Sequence, residues 1–179
     1  MISTSDTGII LTKKNFLKND KLIILFSETQ GKIGLLAKGI KSITSKRLSH
    51  LETGNYINIS FTSPVGHTIA YLQETELIYG YSKIKSDSSK IKVMYQIFFI
   101  LNQLLPEGQP EEQIFKKTLQ FLKLLNNNDS ITPNDLKNYL NSILISGGYV
   151  NTNQINNDYF DPNHFIEELI QKKVIIPTF

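Results

Sequence analysis

The chain of 179 residues contains no cysteine, which excludes at once a disulfide framework, a zinc site built on thiolates and a cysteine nucleophile. Histidine is scarce. His50, His67 and His164 lie far apart with no metal-ligand spacing, a pattern that suits surface or loop positions. No apolar run reaches the roughly 18 residues a membrane span requires. The first ten residues lack a basic start followed by an apolar core. A cytoplasmic protein without membrane association is expected. Gly31-Lys32-Ile33-Gly34 and Lys38-Gly39 are too short for a phosphate-binding loop, and no glycine-rich run ends in Lys-Ser or Lys-Thr. Acidic residues are sparse and unpaired in the strand-like first part, so paired-carboxylate catalysis has no groups to use. No nucleophile has a plausible base. The chain reads as a binding protein, not an enzyme, and calls for no cofactor and no metal.

Apolar residues make up 40% of the chain and charged residues 20%, which suits a globular protein of one ordinary domain or two small ones. The formal charge of +3 is unevenly spread. Residues 1–50 hold nine basic side chains against three acidic ones, a net of +6, and the remainder carries −3. A concentrated positive field attracts a polyanion and releases its condensed counterions. The same lysines would also suit a solvated face that only confers solubility.

Short apolar stretches at Ile9–Leu11, Leu22–Phe26, Ile33–Ala37, Tyr56–Phe61 and Ile69–Tyr79 predict five strands. In the fourth, Ile57, Ile59 and Phe61 alternate with Asn58 and Ser60, giving one apolar and one wet face. The second shows no alternation, as for a strand covered on both sides. Gly31 suits a tight reversal, and Ser63-Pro64-Val65-Gly66 closes a later hairpin. The longer segment Gly39–Gly54 has room for a short helix over Ser42–Leu51. Five strands with one excursion after the third fit a closed five-stranded oligonucleotide-binding barrel (OB-fold), and an SH3-like barrel nearly as well. Phe16, Tyr56, Phe61, Tyr71 and Tyr79 are candidate base-stacking platforms, although aromatics on the apolar side of a small barrel usually belong to its core.

From Ser88 the period changes to steps of three and four. One helix carries Ile91, Met94, Phe98 and Leu105 and is stopped by Pro106 and Gly108. A second begins at Pro110-Glu111-Glu112 and ends at Asn126–Asn128. Thr132-Pro133-Asn134-Asp135 predicts a capped start for a third, closed by Gly147-Gly148, and Asp161-Pro162 starts a fourth. Tyr149–Tyr159 reads as a loop. The expected fold is therefore α+β, with a barrel over residues 1–80, an all-helical domain over 81–179, and the boundary in the polar stretch Tyr81–Ser89.

Several ordered segments resemble the DNA repair protein RecO family. They are Gly8-Ile9-Ile10-Leu11-Thr12, Asp20 to Phe26, Gly31-Lys32, Ala37 to Lys41, Ser45 to Leu48, Leu51-Glu52, Gln73 to Leu77, Leu104 to Gly108 and Gly148-Tyr149. The resemblance implies an OB-fold barrel followed by helices in a non-enzymatic recombination mediator for DNA repair after DNA damage. Such proteins bind single- and double-stranded DNA, promote strand annealing, and work with RecR to load recombinase onto strands coated by single-strand-binding protein, whose acidic C-terminal tail they also contact. A cytoplasmic, nucleoid-associated location follows. By similarity, the DNA-binding positions are Lys38, Lys41, Lys46 and Arg47, with Lys13 and Lys32 as neighbours.

Many members carry four zinc-binding cysteines after the Gly-Tyr turn. Here that region reads Val150-Asn151-Thr152-Asn153-Gln154, so zinc is not expected, and the chain looks like a shortened member. The competing expectation is a protein-interaction module of barrel and helices with no direct nucleic-acid role. An enzyme comes third.

Overall fold

Alternation fixes the sheet. In β4 (Tyr56–Ser63), Ile57, Ile59 and Phe61 are buried while Asn58 is exposed, so one side of the strand faces a core and the other faces water. The computed structural model describes residues 2–17, 19–39, 49–63 and 69–174, with only the backbone of Ile2 and Ile69. The other strands are β1 (Ile2–Asn15), β2 (Lys21–Ser27), β3 (Gly31–Ala37) and β5 (Ile69–Tyr79). Ile10, Ile23, Leu25, Leu35, Ala37, Ile57, Ile59, Phe61, Ala70 and Leu72 contribute to one apolar cluster, drawn from all five strands. Burying each larger member contributes roughly 1.5–3 kcal/mol.

Pairing is antiparallel between β1 and β2, β2 and β3, β1 and β4, and β4 and β5. Between β3 and β5 it is parallel and short, with Gly34 opposite Ile69, Leu35 opposite Ala70 and Leu36 opposite Tyr71. The order β1-β2-β3-β5-β4 returns to β1 through its ladder with β4, which closes the ring of hydrogen bonds.

The chain divides into two compact units, Met1–Gly80 with Leu105–Pro110, and Tyr81–Leu104 with Glu111–Phe179. The expectation of an OB-fold barrel followed by an all-helical domain is corrected at one point: the chain is a mixed five-stranded sheet closed into a ring and followed by helices, but the residues after Gly80 are not all helical, since Leu105–Pro110 clusters with the sheet. Lys32 of β3 forms a parallel bridge with Glu107, and the Gly108 N–H donates to the Lys32 carbonyl at 3.0 Å. Pro106 and Gly108 stop the preceding helix as expected, but the backbone groups freed there pair with β3. That partner cannot be read from a stop signal.

The second unit contains α1 (Ser82–Lys85), α2 (Ser88–Leu104), α3 (Glu112–Asn127), α4 (Pro133–Ser146), α5 (Thr152–Ile155) and α6 (Pro162–Ile170). The capping box at α4 is present. Thr132 Oγ1 accepts from the Asp135 N–H at 3.2 Å, and Asp135 Oδ2 accepts from the Thr132 N–H at 2.9 Å. α3 starts two residues after Pro110, with Glu111 as its N-cap. Two short helices lie where loop or linker is expected. α1 falls in the expected boundary stretch, and α5 falls in the asparagine-rich segment, capped by reciprocal bonds between Asn151 and Gln154. The Phe121 and Tyr139 rings stack at 4.4 Å between α3 and α4, and Thr118 Oγ1 lies 3.0 Å from the Tyr139 hydroxyl. Burial drives the Tyr139 pKa far upward, so this phenol stays neutral.

β2 departs from expectation on one side. Phe26 is fully buried, but Leu22 and Ile24 are half-exposed, so the strand is not covered along its whole length. The expected helix over Ser42–Leu51 falls mostly on residues 40–48, and the expected Ser63–Gly66 turn mostly on 64–68. Both stretches lie outside the described residues.

Candidate nucleic-acid interface

Strand parity decides which lysines share a surface. Ile33, Leu35 and Ala37 of β3 pack on the core, so Lys32, Gly34 and Leu36 lie on the opposite face. Lys38 follows the strand, exposed, with its ammonium 4.5 Å from the centroid of the Tyr71 ring. Residues directly opposite across a ladder share a face. Lys14 of β1 is opposite Leu22, Leu22 is opposite Leu36, and Leu36 is opposite Tyr71. These four form one row across β1, β2, β3 and β5, spanning roughly 14 Å from lysine to tyrosine at the usual strand spacing.

Local hydrogen bonding anchors the strands that present this row. Asp6 is buried in β1; its Oδ2 accepts from the Ser27 hydroxyl, from Thr29 Oγ1 at 2.8 Å and from the Thr29 N–H at 3.2 Å. One carboxylate thus ties β1 to the β2–β3 turn. Gly31 closes that turn at φ +69°, a conformation L side chains rarely adopt. Asp20, between β1 and β2, accepts the Gly39 N–H at 3.0 Å and so anchors the backbone leaving β3 just after Lys38.

The expected site residues separate into three groups. Lys32 and Lys38 share the outward face of β3. Lys13 does not join them. It is opposite Ile23, a core residue, so its position is on the core side of β1, where it is half-buried. Lys41, Lys46 and Arg47 lie outside the described residues. Sequence reasoning missed Lys14, the exposed neighbour whose register, not its composition, brings it to the row. Tyr71 was one of five candidate platforms. Phe61 is a core residue, whereas Tyr71 is half-exposed beside a lysine.

The other visible surface of the sheet is unsuited to phosphate. β4 and β5 contain no lysine or arginine. Exposed Glu74 and Glu76 line a shallow depression of about 170 Å³ with Ser5, Asn58 and Ser60. Among the described residues, the lysines of the first unit therefore come from β1, β2 and β3 with the residue after it, and none from β4 or β5. Chemically, an ammonium over an exposed ring contributes about 0.5–1 kcal/mol, and a base stacked on an aromatic ring about 1–3 kcal/mol. The Lys38–Tyr71 contact is weak enough for the ring to receive a base and the ammonium a phosphate. His50 is committed elsewhere, with Nδ1 3.1 Å from the Thr75 carbonyl oxygen. No group of three or more His, Asp or Glu residues able to hold a metal ion occurs among the described residues.

The sheet unit coincides with a family pattern. Residues 1–81 match the one described as recombination protein O N terminal. Proteins described as DNA repair protein RecO are similar over a longer stretch. That of Listeria welshimeri is 28% identical over 116 residues, covering 65% of this chain and 45% of the relative. That of Clostridium acetobutylicum is 28% identical over 120 residues, covering 67% and 48%. The chain is thus similar to the RecO family, over its sheet unit above all. The Oceanobacillus iheyensis RecO is 27% identical over 124 residues, 69% of this chain and 47% of the relative. The chain spans about half the length of the curated RecO relatives it matches. The matched family pattern covers every strand and the Lys14, Lys32, Lys38 and Tyr71 positions; helices α1 to α6 lie beyond it.

Proposed function

We propose that the chain is a non-catalytic DNA-binding mediator of recombinational repair. It binds single- and double-stranded DNA through the outward face of β3, promotes annealing of complementary strands, and assists recombinase loading together with RecR and single-strand-binding protein. The observation that carries this reading is the exposed Lys38 ammonium set over the Tyr71 ring, in a row that continues to Lys14. An aromatic platform flanked by cations is the chemistry that binds a flexible strand with little sequence preference. The names of the relatives, DNA repair proteins, support the same direction. Lys41, Lys46 and Arg47 are further DNA-contacting residues in this proposal, and a nucleoid-associated place in the cytoplasm follows from it.

Annealing demands more than binding: two charged strands must be brought together with their base edges accessible. The test is duplex formation from complementary labelled strands at low salt. The proposal expects a faster rate with added protein, and an unchanged rate contradicts it. A protein-interaction module is the second reading, favoured by the exposed run Leu77, Ile78 and Tyr79 at the end of β5. It expects partner binding that persists at about 0.5 M salt with no DNA affinity at low salt.

A further inference from the structure

Lys32 differs from Lys38 although both lie on the outward face of β3. The segment Leu105–Pro110 leaves the helical unit and clusters with the sheet. It is laid flush on the β2–β3 turn: a Cβ added to Gly31 would stand 1.9 Å from the Gln109 carbonyl oxygen. Pro106 and Pro110 restrict φ at both ends of this strap. Within it, Glu107 bridges Lys32 through the backbone in parallel register, and its exposed carboxylate is close enough to act electrostatically on the Lys32 ammonium. Partial burial pushes the Lys32 pKa down, and Glu107 pushes it back up. A half-buried cation thus has a carboxylate supplied by its own chain, while Lys38 is exposed over an aromatic ring.

We propose that Glu107 is an intramolecular stand-in for phosphate at Lys32. It competes with nucleic acid for that lysine and so limits how many phosphates the outward face of β3 engages. The inference rests on the DNA-binding reading above and goes beyond it by assigning an affinity-setting role to a residue outside the sheet. A strand that displaces Glu107 gains Lys32 as an additional contact; one that does not is held by the remaining cations.

Four versions of the full chain test it: wild type, Glu107→Gln, Lys32→Gln and the double variant. Each is titrated with a labelled oligothymidylate from about 0.05 to 0.3 M salt. Glu107→Gln is expected to bind severalfold tighter at about 0.1 M salt and to steepen the log–log salt slope by about 0.7, the increment for one extra phosphate on a single strand. Both effects should vanish in the Lys32→Gln background. If wild type binds but Glu107→Gln has the same slope, this proposal fails and the DNA reading stands. A gain that persists without Lys32 also overturns it, because the effect would then be one of general charge. Absence of binding in every version overturns both. Independently of DNA, the Lys32 ammonium followed by NMR titration should have a lower pKa in Glu107→Gln, and an unchanged value overturns the pairing.

Discussion

The Lys38 ammonium stands 4.5 Å from the centre of the Tyr71 ring, linking the end of β3 to the one strand that runs parallel to it. The contact depends on register. Tyr71 is opposite Leu36, two residues before Lys38, so the parallel ladder sets ring and cation side by side on the outward face.

Tyr71 is expected to distinguish flexible strands from duplexes. Tyr71→Leu should lose about 1–3 kcal/mol of single-strand affinity, the usual contribution of one stacked base, while duplex affinity changes little. Tyr71→Phe should retain both. Fluorescence anisotropy with matched single- and double-stranded oligonucleotides reads the difference.

The acidic face should be silent in DNA binding. Removing the carboxylates with Glu74→Gln and Glu76→Gln together is expected to change affinity by less than about twofold at 0.15 M salt, because charges more than about 8 Å from the bound phosphates are screened. Anisotropy titration at that salt checks it; a large gain in affinity would mean that the bound strand crosses β4 and β5.

Gly31→Ala should destabilise the sheet unit and loosen the strap. The position combines φ +69° with a Cβ 1.9 Å from the Gln109 carbonyl oxygen, so the backbone must move as well as strain. A loss of more than about 1 kcal/mol is expected, measured as a lower urea midpoint. Gly39→Ala shares the φ of +69° but has nothing within 4 Å, so it should lose less.

Acid should weaken the helical unit through its caps. Hydrogen bonds from Thr132 hold the Asp135 pKa below the ordinary carboxylate value, and Ser89 with the backbone of Lys90 does the same for Asp87. A carboxyl whose folded pKa lies below its unfolded value stabilises the fold above the unfolded value. That contribution is lost as pH falls through the folded one. Thermal melts followed by circular dichroism should show stability falling as pH drops from about 5 through about 4, the range in which free aspartate protonates. Thr132→Val should flatten that fall.

Much of the fold is legible where one residue type has one physical use. The alternation of Ile57, Ile59 and Phe61 predicts a half-buried strand, and Thr132-Pro133-Asn134-Asp135 predicts a capped helix start; both are present. What escapes the sequence is pairing between distant segments. Nothing local announces that Glu107 joins Lys32 or that Lys14 shares a row with Tyr71, because both depend on register. The same limit explains Lys13. Adjacent to Lys14 and of equal charge, it occupies the core side of the strand because successive residues alternate faces. The asparagine-rich stretch after Tyr149 misleads for another reason: Asn151 suits a loop, but it also caps a short helix when Gln154 answers it.

The most direct test of the account is the salt dependence of single-strand binding by the wild-type chain and by Lys38→Gln. With roughly four to six cations meeting phosphates, the log–log slope should be about −3 to −4 in wild type and shallower by about 0.7 in the variant. A flat response in wild type, or an identical slope in the two proteins, would contradict the assignment of the outward face of β3 to DNA.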